Sequence, residues 1–130
     1  MPHCIIEYAS ALTSITSPEA LIQSVHSGAV NSGLFNVADI KLRAIPFDHY
    51  MSGAQKFDAA LLTSSPSMKG NGNLPFIHVC VKMLSGRTPE QRHHLSKSIL
   101  EALSRLPLPS ISLTVEVVEI EAQSYGKLIK

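Results

Sequence analysis

Charge is what this sequence has least of. Only 16% of its 130 residues are Asp, Glu, Lys or Arg, against 45% apolar, and the formal net charge is +1. A chain so nearly neutral carries no basic field to hold a nucleic acid, which excludes that class of partner. So few charges on a small domain also leave part of its surface to be buried against other subunits. No apolar run approaches the roughly 20 residues needed to cross a bilayer. Residues 1–20 have no basic head followed by an apolar stretch, so no secretory signal is expected. Cysteine is nearly missing: Cys4 and Cys80 stand alone, in predicted strands and without metal-ligand spacing. Reduced, buried thiols and a cytoplasmic location are the expectation. Six histidines are scattered, apart from the adjacent His93 and His94, which do not face one ligand well on a helix; no metal site is indicated.

What is present is a pattern repeated twice. A strand is expected over about Pro2 to Tyr8. Ser17-Pro18-Glu19 then opens a helix: Ser17 or Thr16 is a capping residue, Pro18 suits the first turn, and Glu19 meets the positive end of the dipole. Thr16 and Glu19 have capping-box spacing. Leu21, Val25 and Ala29 form one stripe with Ile22 beside it, and Gly33 is the natural left-handed stop. A second strand is expected over about Ile40 to Ile45, ending at Pro46.

The second half opens with a strand from Phe76 to Leu84, with Ile77, Val79, Val81 and Met83 on one face. A Gly86-Arg87 turn leads into a helix opened by Thr88-Pro89-Glu90-Gln91, in which Thr88 and Gln91 form a capping box. Leu95, Ile99, Leu103 and Leu106 make its stripe; Pro107 and Pro109 end it. The last strand runs from Ile111 to Glu121. Its alternation slips phase between Val117 and Val118, which predicts a bulge.

The expectation is one α+β domain over residues 1–130: a first β-α-β unit at about 2–46, a connection at about 47–74, a second β-α-β unit at about 75–121, and a C-terminal tail. Crossover helices make each unit's strands parallel. The four strands form one mixed sheet with both helices on one face. Strands one, three and four carry apolar residues in both phases, so the other face needs a cover as well, and a trimer packing its sheets inward supplies one. Within the connection, Asp58 to Leu62 suits a short helical turn. Loops of that length are functional or mobile as a rule, so an active-site lid, a subunit contact and a plain excursion all stay open.

Pro2 is the most informative residue. Methionine is normally trimmed before a small residue such as proline, and removal of Met1 leaves a secondary amine, a base or nucleophile that no internal residue supplies. At the head of a packed strand that amine is held in place.

Taken together, Pro2, Ser17-Pro18, Gly33-Leu34-Phe35, Ile40 to Arg43 and the run from Lys82 to Arg92 resemble the 5-carboxymethyl-2-hydroxymuconate Δ-isomerases of the tautomerase superfamily, whose smaller members include 4-oxalocrotonate tautomerase. The resemblance covers nearly the whole chain, with a longer middle segment here. It implies a homotrimer of β-α-β repeats, no metal or organic cofactor, and an amino-terminal proline base acting on a small carboxylate substrate.

The chemistry is consistent with that implication. Shifting a carbon–carbon double bond in an unsaturated keto acid needs a proton removed beside a carbonyl and returned elsewhere. One base that is neutral near pH 7 does both. An α-amino group ordinarily titrates at about 7.7–8.0 and proline starts higher; burial and nearby cations lower it. Cations also hold the carboxylates and the dienolate charge. The candidates are Lys41 and Arg43, two apart on a strand and so on one face, and Arg87, at the turn before the second helix. The resemblance places functional cations at Lys41 and Arg87, with arginine usual where Lys41 stands. Lysine lacks the planar fork and clamps a carboxylate less tightly. Arg92 reads as a surface residue, and His3 and Tyr8 as packing residues. Two other readings stand beside the isomerase: a hydratase, decarboxylase or Schiff-base reaction on the same scaffold, and a catalytically silent trimer that binds a partner.

Overall fold

The computed structural model describes residues 1–53 and 74–130. Most of the connection, including the short helical turn expected at 58–62 and any lid, lies outside the described residues.

Four strands form one sheet in the order β2-β1-β3-β4, where β1 is Pro2–Ala9, β2 Lys41–Phe47, β3 Phe76–Leu84 and β4 Ser112–Ile120. β1 and β2 are parallel, as are β3 and β4, and the two pairs meet antiparallel between β1 and β3. The sheet is therefore mixed, as its two β-α-β units require. Helices α1, Pro18–Asn31, and α2, Pro89–Ser104, cover one face.

The helix face is built from alternate strand positions. Cys4, Ile6 and Tyr8 lie in register with Val81, Val79 and Ile77, and all six are buried. Leu21, Val25 and Ala29 of α1 and Leu95, Ile99 and Leu103 of α2 are buried with them. These are the stripes that the four-residue spacing marks out. Burial, with some help from Cys80, pushes the Cys4 thiol up to about 11, so it is an inert core residue.

The helices meet so closely that a Cβ on Gly28 would stand 2.7 Å from the Ile99 Cα and 3.0 Å from the Ser98 carbonyl oxygen. Ser98 Oγ donates to the Gly28 carbonyl at 2.7 Å across the same crossing.

The ends of the helices follow their capping residues. Thr88 and Gln91 form the full box: Gln91 N donates to Thr88 Oγ1 at 3.2 Å, and Thr88 N to Gln91 Oε1 at 2.9 Å. At α1 the cap is Ser17, whose Oγ accepts from Ala20 N at 3.1 Å, and Thr16 is buried instead of boxed with Glu19. Gly33, at φ 72°, stops α1 in the left-handed region. α2 ends at Ser104, just short of Leu106, which still packs on the core.

Two strands also differ from the expectation. β2 runs through Pro46 to Phe47, because β2 is an edge strand and a missing N–H there costs no ladder bond. β4 has no bulge: its register with β3 is unbroken from Ser112 to Ile120. The phase slip has another cause. Glu119 takes a helix-face position and pairs there with Arg92 of α2 (Nη1–Oε1 2.5 Å), which leaves Val118 and Ile120 on the other face.

That other, distal face is less apolar than the sequence suggests. Successive cross-strand rows read Lys41-His3-Lys82-Val118, then Arg43-Ile5-Cys80-Glu116, then Ile45-Glu7-His78-Thr114. Cations gather at the Pro2 end and acids and His78 farther along, with Ile5 and Cys80 between them. His78 bonds Thr114 Oγ1 at 2.7 Å and Glu116 Oε2 at 2.6 Å.

Candidate functional site

The amino end of β1 is where the topology concentrates charge. Pro2 lies opposite Met83, and Met83 opposite Glu119, in one helix-face row; Pro2 is buried. Its ring is thus fixed in the core while its nitrogen stands at the strand's start. His3 points to the distal face between Lys41 and Lys82, with Arg43 one row away. Burial lowers the His3 pKa most, and Arg43, Lys41, the chain terminus and Lys82 lower it further, so the ring is neutral at pH 7.

Two further segments meet this end. The loop after α1 carries Asp39 in a short 3-10 turn, Val37–Asp39, whose start is set by Asn36 accepting from Ala38 N at 3.2 Å. Arg87 braces the same loop, Nη2 donating to the Leu34 carbonyl at 2.6 Å. Beyond β4, Tyr125 places its hydroxyl 3.0 Å from His3 Nε2, and Lys127 Nζ reaches Asp39 Oδ1 at 3.4 Å. The other oxygen of Asp39 lies 3.7 Å from the Met1 amino nitrogen. Lys127, by hydrogen bond and charge, and the terminal amine hold the Asp39 carboxyl below its ordinary range.

The Met1 amine itself is shifted down. Burial is the largest cause; Asp39 opposes it, and Lys127 and Lys41 add to it. The neutral form of this Met1 amine is correspondingly favoured.

Of the residues picked from the sequence, Pro2, Lys41 and Arg43 come together at this end. Arg87 leaves the same end of β3, yet its described bond goes to a backbone carbonyl. His3, read as a packing residue, stands among the cations, and Arg92, read as a surface residue, forms a half-buried pair with Glu119. Lys82, Asp39, Tyr125 and Lys127 were not legible. Lys82 becomes visible only through the β1–β3 register; the others sit in turns and tail, where no periodicity points. Among the described residues no group of three or more His, Cys, Asp or Glu side chains is placed to hold a metal ion. No described helix is long and apolar enough to cross a membrane.

Comparison with known proteins agrees with this layout. The family model for 5-carboxymethyl-2-hydroxymuconate isomerase matches residues 2–128. No curated protein matches the sequence. Solved structures share the fold. A 5-carboxymethyl-2-hydroxymuconate delta-isomerase superposes with a TM-score of 0.75 at 18% identity, over 100% of this chain and 89% of that one. The 5-carboxymethyl-2-hydroxymuconate isomerase of Deinococcus radiodurans R1 gives 0.71 at 19% identity, over 99% and 90%. A fused 4-OT symmetric trimer gives 0.65 at 11% identity, over 97% and 93%.

Proposed function

The chain belongs to the 5-carboxymethyl-2-hydroxymuconate isomerase family, and on that premise we propose that it moves a double bond in an unsaturated dicarboxylic keto-enol acid, using the amine of Pro2 as the proton carrier. Its role is of the isomerase or tautomerase type. The observation that carries the finer reading is the setting of Pro2: a ring buried at the head of β1, with Lys41, Lys82 and Arg43 around its neighbour His3.

The steps follow from that setting. Loss of Met1 turns the Pro2 amide nitrogen into a secondary amine. Its lone pair takes a proton from the carbon beside the carbonyl. The electrons of that C–H bond form a dienolate, with the charge on the carbonyl oxygen. The N–H then returns the proton to a different carbon, and the amine is restored. Preorganised cations stabilise the oxyanion without reorganising during the reaction. Lys41 and Arg43 are assigned to one carboxylate and to that charge. Arg87, with one N–H engaged by Leu34, presents its remaining donors to the substrate. No cofactor enters the scheme.

Two measurements test the reading together: intact mass of untagged protein, and an ultraviolet assay with 2-hydroxymuconate-type dienols. Protein starting at Pro2 that turns over the dienol is the expected result. Protein that keeps Met1 and is still active overturns the mechanism.

Lys41→Met should raise KM for a dicarboxylate dienol about tenfold or more, as expected for loss of a charge-assisted bond. Lys41→Arg should restore or improve it, because the guanidinium fork fits a carboxylate. Steady-state kinetics on the two variants decide; an unchanged KM in Lys41→Met removes that residue from the site.

We also assign a homotrimer. The distal face exposes Ile45 and Val118 along with its charged rows, and the fold is that of a fused 4-OT symmetric trimer. Light scattering should give about three times 14.1 kDa; a monomer mass rejects the assignment.

A further inference from the structure

The segment after β4 has no part in the scheme above, yet it makes two contacts with the site. Tyr125 OH meets His3 Nε2 at 3.0 Å, and their rings lie 6.1 Å apart, tilted by 56°. Two residues on, Lys127 reaches Asp39 at 3.4 Å. Among the described residues Asp39 is the only ion-pair partner of Lys127. The pair is half open to water, long, and made through one oxygen, so it exchanges easily for a better acceptor. Asp39 Oδ1 lies 3.4 Å from Lys127, and its other oxygen lies 3.7 Å from the Met1 nitrogen, a partner that departs with Met1 and leaves Lys127 as its ion pair. A dianion with one carboxylate on Lys41 and Arg43 has a second to place. Of the other cations at this end, Lys82 lies in the distal-face row beside His3 and Arg87 holds the Leu34 carbonyl, whereas Lys127 is paired, among the described residues, only with the partly exposed Asp39.

We propose that Lys127 binds the second carboxylate of the substrate, that Asp39 holds its place in the unliganded protein, and that Tyr125 is a positioning residue pinning the segment to His3. The proposal rests on the functional reading above and names its substrate-selecting residue. On binding, the carboxylate displaces Asp39 from Lys127, and Asp39 turns to solvent, to which it is already exposed. Lys127 thereby sets the preference for two carboxylates over one, a task separate from proton transfer.

The test needs no turnover. Calorimetric titration of the native protein with trans,trans-muconate and with sorbate compares a dicarboxylate and a monocarboxylate of equal chain length, neither carrying the enol. Wild-type protein should bind muconate more tightly. Lys127→Met should cut that preference about tenfold, towards equality, and leave sorbate within twofold. Lys127→Arg should keep the preference. Tyr125→Phe should lower it by less, with kcat on a dienol within threefold. A wild-type protein with no preference for muconate overturns the proposal, as does a Lys127→Met protein that keeps it or that loses both ligands equally. A protein that prefers muconate but turns over no dienol removes the isomerase reading and leaves Lys127 in place.

Discussion

Protein carrying an uncut amino-terminal extension is expected to fold normally and to lose about 10²- to 10⁴-fold in kcat/KM, the span usual for a lost general base. An amide nitrogen has no basic lone pair, so the substrate proton has nowhere to go. Proteolytic release that leaves Pro2 first should restore the rate. The released protein should also show a rate that rises with pH. The base is active when neutral, and the burial of Pro2 and the nearness of Lys41 should favour that form. The inflection should therefore fall below the ordinary value of such an amine. Pro2→Ala keeps a primary amine and should retain part of the activity. Full turnover by the extended form would mean that another group moves the proton. Circular dichroism on both forms shows that the fold is the same.

The second large effect concerns stability alone. Gly28→Ala should destabilise the protein by about 1–3 kcal/mol, the usual cost of forcing atoms into a packed contact. Alanine improves helix propensity by roughly 1 kcal/mol over glycine, which argues the other way. The contact decides the sign: the new methyl meets the backbone of α2, at Ile99 Cα and the Ser98 carbonyl, and a backbone does not rotate aside. The helices must part, which also stretches the bond from Ser98 Oγ to the Gly28 carbonyl. Urea titration should show a lower midpoint with an unchanged slope. A variant as stable as the parent would mean the crossing is looser than these distances.

The sequence made the elements legible because each carries its own punctuation. The Thr88–Gln91 box and the Gly33 stop are local chemistry, and period two in β3 needs no partner to be seen. The bulge expected in β4 failed for the opposite reason: a single strand does not reveal that Glu119 has Arg92 waiting on the helix face. The site divides along the same line. Pro2 is singular by position, and Lys41 and Arg43 by spacing. Lys82 needs a neighbouring strand to become their companion. Asp39 and Lys127, 88 residues apart, meet only because one loop and one tail return to the same end of the sheet.

The antiparallel join between β1 and β3 relates the two β-α-β units as an end-for-end pair, so the sheet has two comparable rims. They differ. Where the first rim has Pro2, the second begins with Phe76, locked between peptide bonds on both sides. Where β2 starts with Lys41 and Arg43, β4 starts with Ser112 and Thr114. Only the first rim carries the amino end of β1 with Lys41 and Arg43 beside it, so the two ends of one sheet present different chemistry to a ligand.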